Sequence, residues 1–215
     1  MKKRIATSER ILEASRRIFN EKGYVATTLT EIAAAIGISQ GNLTYHFPTK
    51  RDLARRLISD ARQQSQARRA AIRPAAIAND YVEHLLFAMD LTWNNRFALR
   101  NRTQLNEVLE IPNSETEFSA DFSELYQLVC RIQKENMFRR DFETDLQKLA
   151  RSLWIVSRYW MDYLREFEGL EKITWADQER GIEQHFIVLL PCLTASARKK
   201  FNDALAKRSR RLESE

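Results

Sequence analysis

The segment Gln40-Gly41-Asn42-Leu43-Thr44-Tyr45-His46 places three side chains able to bond base edges, Gln40, Asn42 and Thr44, around one apolar residue, Leu43. Asn and Gln amides pair a donor with an acceptor and match adenine, and a threonine hydroxyl reaches either a base or a phosphate. Gly41 has no side chain, so the backbone there can come close to a partner. Lys50 opens a helical pattern just after Pro48-Thr49. Free N–H groups at a helix start, with a cation beside them, attract phosphate. This chemistry suits a nucleic-acid duplex. No nucleophile–base set, phosphate loop or paired metal ligands stand beside it; the three histidines are His46, His84 and His185. An all-helical enzyme is therefore disfavoured, and neither a metal nor a cofactor is expected.

The charge distribution points to the same segment. Residues 1–56 hold 11 Lys/Arg and 5 Asp/Glu, whereas residues 57–215 hold 24 of each. The whole net charge of +6 sits on the first quarter of the chain, where a polyanion would be met.

Such side chains need a scaffold that presents them. Residues 8–22 read as an amphipathic helix through Ile11, Leu12, Ser15, Ile18 and Phe19, with Ser8 as cap and Gly23 as stop. Thr28 and Glu31 form a capping box for a second helix, 29–36, with Ile32, Ala33 and Ile36 as its apolar stripe. Gly37-Ile38-Ser39 makes a tight turn, and Ser39 caps a third helix, 40–46. Helix-turn-helix packing needs a small residue at the contact, a turn-permissive residue four positions on, and an apolar anchor on the second helix. Ala33, Gly37 and Leu43 supply these in order. A helix over about 50–73, buried at first through Ala54, Leu57, Ile58 and Ala61 and then polar, connects this head to the rest.

On these residues, and on Tyr45-His46-Phe47 and Lys50-Arg51-Asp52-Leu53, the chain resembles the TetR family of bacterial transcriptional regulators over about residues 5–60. The resemblance implies a repressor that binds a double-stranded palindromic operator as a homodimer and is released by a small-molecule effector. It places Thr28, Tyr45, His46 and Lys50 at the family's phosphate contacts, beside Ser39, Gln40, Gly41, Asn42 and Thr44 on the recognition helix. The family often has two adjacent aromatics before the histidine; here the first is Thr44. Lys2, Lys3 and Arg4 could form an arm into the minor groove. The alternative is an architectural DNA binder without an effector, for which the neutral, aromatic-rich body has no use.

The remainder reads as helices near 75–95, 96–110, 114–138, 143–168, 175–190 and 195–208, with no period-two run and hence no sheet. The expected fold class is all-α: a three-helix DNA-binding domain, 1–53, and a helical effector-binding and dimerisation domain, 54–215. Phe87, Trp93, Phe97, Phe122 and Tyr126, with Arg102 among them, suit a ligand cavity, although such a stripe also serves as plain core. Trp154, Trp160, Phe186, Leu189 and Leu190 suit a four-helix bundle between two chains. Cys130 and Cys192 are isolated thiols. No apolar run reaches bilayer length, and no apolar segment follows the basic N-terminus, so no membrane partner and a cytoplasmic location are expected.

Overall fold

The computed structural model describes residues 6–71, 74–98, 105, 108–109, 115–143 and 145–212. Among these the chain is helical: α1 (Thr7–Lys22), α2 (Leu29–Ala35), α3 (Gln40–His46), α4 (Lys50–Ala71), α5 (Ile77–Asn94), α6 (Glu115–Lys134), α7 (Leu146–Glu166), α8 (Trp175–Leu189) and α9 (Ala195–Leu212). Single 3-10 turns occupy Arg96–Ala98 and Leu190–Cys192. No strand is found among the described residues; one isolated bridge joins Phe138 and Leu193.

Packing divides the chain into two units, one from residues 1–72 and 91–113, the other from 73–90 and 114–215. The first unit therefore reaches past residue 53, because Leu53, Ala54 and Leu57 of α4 complete its core. That core takes Ile11, Ile18 and Phe19 from α1, Ile32 and Ala33 from α2, and Leu43 from α3. Each large apolar side chain buried this way contributes about 1.5–3 kcal/mol. Phe97 joins the same core, with its ring 5.3 Å from that of Phe19. Asn20 clamps the segment there: its Oδ1 accepts from the Phe97 N–H at 3.0 Å, and its Nδ2 donates to the Asn94 carbonyl at 2.8 Å.

The second unit packs α7 against both α6 and α8. Its core runs from Ile77, Tyr81 and Leu85 through Leu125, Val129 and Ile132 to Leu153, Leu189 and Phe201. One buried polar chain crosses it. The Tyr81 hydroxyl lies 2.7 Å from His185 Nε2, and Ser157 Oγ lies 2.8 Å from His185 Nδ1. These bonds link α5, α8 and α7 and satisfy groups that burial would otherwise penalise. Burial lowers the His185 pKa to about 3, with His84 nearby adding to the effect. His185 is thus a neutral core histidine.

Several boundaries differ from the sequence reading. Ala6, not Ser8, caps α1, and Glu9 reaches back to the Ala6 N–H at 3.4 Å. The helix expected over 96–110 begins instead as a 3-10 turn, and residues 99–104 lie outside the described ones. The helix expected over 114–138 stops at Lys134. Asn136 takes a positive φ of 52°, which asparagine tolerates, and the chain turns to bond the 3-10 segment through Arg139 N–H to the Cys192 carbonyl. Cys130 and Cys192 are both free, and burial raises the Cys192 pKa.

Candidate nucleic-acid interface

The turn between α2 and α3 is closed by the backbone alone. The Ile38 N–H donates to the Ala33 carbonyl at 3.1 Å and the Gly37 N–H to the Ala34 carbonyl at 3.2 Å. With Gly37 at φ 70°, this is a Schellman ending. Arg10 adds a bond from its guanidinium to the Ile36 carbonyl at 2.8 Å. Both helix starts are capped as their sequences imply. Thr28 Oγ1 accepts from the Glu31 N–H at 3.2 Å while the Glu31 carboxylate accepts from the Thr28 N–H at 2.9 Å. Ser39 Oγ accepts from the Asn42 N–H at 3.1 Å. Lys22 bonds Glu31 at 2.7 Å, and with the Thr28 bonds it pulls the carboxyl down to about 2. The caps and the buried Leu43 fix α3 as a short rigid peg.

The other face of α3 is open. Gln40, Gly41, Asn42, Tyr45 and His46 are exposed, and Tyr45 shows 84% of its surface. A Cβ built on Gly41 would meet only Ser39 Oγ, at 4.0 Å. Nothing inside the head therefore requires glycine there, and a helical glycine costs about 0.5–1 kcal/mol relative to alanine. The gap it leaves is open space. Thr44 is half-buried, and its hydroxyl turns back to the carbonyls of Gln40 and Gly41, both at 3.1 Å. Its proton is spent on its own helix, so toward a base it offers lone pairs.

Lys50 departs furthest from its expected role. Its ammonium donates to the carbonyls of Tyr24 at 2.9 Å, Val25 at 3.2 Å and Thr27 at 2.7 Å, and sits 4.6 Å from the Tyr24 ring centre. All three protons are used within the head, and burial lowers its pKa. The geometry is that of a clamp on the α1–α2 link rather than of a cation offered to phosphate. The start of α4 is likewise closed, by Thr49 Oγ1 accepting from the Asp52 N–H at 3.1 Å and the Asp52 carboxylate accepting from Thr49. Lys2, Lys3 and Arg4 lie outside the described residues. The sequence reading missed Thr30, whose hydroxyl donates to Gln40 Oε1 at 2.8 Å across the turn. A polar residue in the first turn of α2 was the only signal available.

Residues 11–57 match the model of the bacterial regulatory proteins, tetR family, and residues 61–201 match that of a bacterial transcriptional repressor, TetR. The chain belongs to the TetR family. That family comprises transcriptional regulators rather than enzymes. The HTH-type transcriptional regulator TtgR of Pseudomonas putida is 31% identical over 124 residues, 56% of each chain. The chain spans from 16% to 56% of the length of the first curated relatives it matches. A TetR-family regulator from Marinobacter aquaeolei shares the fold with a TM-score of 0.73 at 23% identity, covering 96% of this chain and 98% of the other. A gamma-butyrolactone receptor does so with 0.65 at 20% identity, covering 94% and 95%.

The body of this TetR-family chain redistributes the residues singled out by sequence. Trp93 and Phe97 fall in the first packing unit, Phe97 in its core. Arg102 lies outside the described residues. Phe122 and Tyr126 lie stacked, 6.4 Å apart, on the body core, with Trp154 edge-on to Phe122; Phe87 is half-buried on α5. A cavity of about 730 Å³ in this unit is elsewhere, lined by Ile182, Phe186, Leu190, Leu205, Arg139 and Arg198. Trp160, Phe186 and Leu189 are buried within one chain, which corrects their assignment to a dimer face. Trp160 fills the notch left by Gly181, where a Cβ would come within 2.6 Å of its ring, and its Nε1 donates to the Asp177 carbonyl at 2.8 Å. Trp154 and Leu190 are half-buried against the same core. The exposed apolar residues of α7 are Ile155, Tyr159 and Tyr163, four apart, with Phe167 following and Ile187 exposed on α8. No helix among the described residues is long and apolar enough to cross a membrane.

Proposed function

We propose that this protein is a DNA-binding transcriptional repressor that grips a palindromic operator as a homodimer and lets go when a small molecule binds its body. The observation that carries this reading is the open face of α3. A capped, anchored helix presents Gln40, Asn42, Tyr45 and His46 around a glycine that the head itself does not need. In this reading residues 1–53 recognise DNA and 54–215 bind effector and partner. Gln40 and Asn42 contact base edges, with Thr44 as an acceptor. Tyr45, His46, Thr28 and Ser39 meet the backbone, and Lys50 acts through the link it clamps.

Two chains join through the stripe Ile155–Tyr159–Tyr163–Phe167 and Ile187. Residues four apart lie on one helix face, and an apolar stripe left in water favours a partner. Replacing Ile155 and Tyr163 together by Glu should convert a dimer to a monomer in sedimentation; an unchanged dimer would mean another surface joins the chains. The effector meets the aromatic cluster of Phe122, Tyr126 and Trp154; that the structurally similar gamma-butyrolactone receptor is a receptor supports a small-molecule effector. The test of the function is a gel shift of the full chain on DNA flanking its own gene across a salt series. A sequence-dependent complex that weakens steeply with salt is expected. Binding that ignores sequence would sink the proposal.

A further inference from the structure

Thr30 and Gln40 stand ten residues apart on either side of the α2–α3 turn, and the Thr30 hydroxyl donates to Gln40 Oε1 at 2.8 Å. Both residues are exposed, so the bond is not a by-product of core packing. Resting on the reading of α3 as the recognition helix, we infer that Thr30 is a positioning residue for Gln40: it holds the amide carbonyl toward α2, turns the amide donors toward DNA, and makes Gln40 a reader of guanine.

A glutamine amide has a donor end and an acceptor end. In the major groove adenine offers N7 as acceptor and its amino group as donor, so a free glutamine serves it by using both ends. Guanine offers two acceptors, N7 and O6, and is served by donors alone. With Oε1 engaged by Thr30, the unengaged part of Gln40 is its Nε2 group with two N–H bonds. Those match guanine without breaking the bond to Thr30. The same bond removes rotamer freedom that a long side chain otherwise loses on binding. Asn42 differs: its backbone N–H bonds Ser39, but among the described residues no bond orients its amide. Asn42 is therefore the adaptable reader and Gln40 the pre-set one. The flanking Gly41 adds no side chain that would crowd the Gln40 amide.

The test selects preferred duplexes from a randomised pool with the full-length protein. Affinities are then measured for all four base pairs at each position, for wild type, Q40A, T30V, T30S and the T30V/Q40A double variant. Wild type should favour guanine at one position on the order of tenfold, and Q40A should erase that preference. T30V, which keeps the shape of threonine without the hydroxyl, should shrink it to a few-fold at that position only. T30S should restore it, and T30V should add nothing in the Q40A background. A thermal melt of T30V like that of wild type shows that the head is still folded.

Adenine at the Gln40 position would overturn the inference, because the amide would then be turned the other way. So would a T30V that weakens every sequence equally and additively with Q40A, since Thr30 would then touch DNA itself. A T30V without effect beside an effective Q40A overturns the positioning role but leaves the recognition helix intact. A Q40A without effect at any position removes both.

Discussion

Both packing units cap helices at the surface, the second through Asp145 and the Thr174–Asp177 capping box, but they differ in their buried polar groups. In the first, hydroxyls and carboxylates sit at the surface and cap helices: Thr28 with Glu31, Ser39 with Asn42, Thr49 with Asp52. In the second, Tyr81, His185 and Ser157 are bonded inside and their side chains cross between helices far apart in sequence. The apolar surface is inverted as well. Helix α3 buries its one large aliphatic, Leu43, whereas α7 leaves Ile155, Tyr159 and Tyr163 in water. The seven-residue helices α2 and α3 depend on local bonds to hold their place, while the 21-residue α7 can depend on packing and leave apolar surface exposed. The proposed function, reading one surface and joining another, would use both.

The comparison breaks first at Leu43. Leu43→Ala removes the only buried anchor of α3 and should cost about 2–5 kcal/mol in the first unit. In a thermal melt the transition of that unit should drop while that of the body holds; a single shared drop would show that the units do not fold separately. Next comes pH. The unfolded chain takes up a proton at His185 near 6.5, whereas the folded body does so only near 3. Stability from this group is complete above about pH 6.5 and falls as pH drops toward 3, by roughly 2 kcal/mol between pH 7 and 5. Chemical denaturation of wild type against His185→Gln over that range should show the steeper fall in wild type; parallel curves would place the proton elsewhere.

Lys50 gives a smaller and more pointed test. Lys50→Met keeps the stem and removes the clamp, and should destabilise the first unit by about 1 kcal/mol. If Lys50 acts only through the 24–27 link, the salt slope of DNA binding stays the same. A direct phosphate contact would lower it by about one.

Legibility in the sequence follows the same division. The Thr28 and Ser39 caps and the Gly37 turn were readable because each acts within five residues of its partners. Lys50 was not, because its three carbonyls lie 23 to 26 residues back and its charge alone suggested phosphate. Phe97 looked like a cavity residue because nothing local shows that Asn20, 77 residues away, pins it to the head. Trp160 looked like interface because the notch at Gly181 that receives it exists only after α7 and α8 have packed. Periodicity told which faces of α7 and α8 are apolar but not which part stays exposed. That is decided by how much of the stripe the neighbouring helices cover.

The smallest expected change in stability bears most directly on the central claim that DNA approaches the open face of α3. Gly41→Ala puts a methyl group where the head has space, with Ser39 Oγ as its nearest contact at 4.0 Å. The first unit should gain about 0.5–1 kcal/mol from the better helix former. Its affinity for a selected operator should nonetheless fall, because the added methyl occupies the gap the DNA enters. Measured on one preparation, melting temperature should rise while DNA affinity drops. A variant that is stabilised and binds DNA as tightly as wild type would contradict this account of the interface.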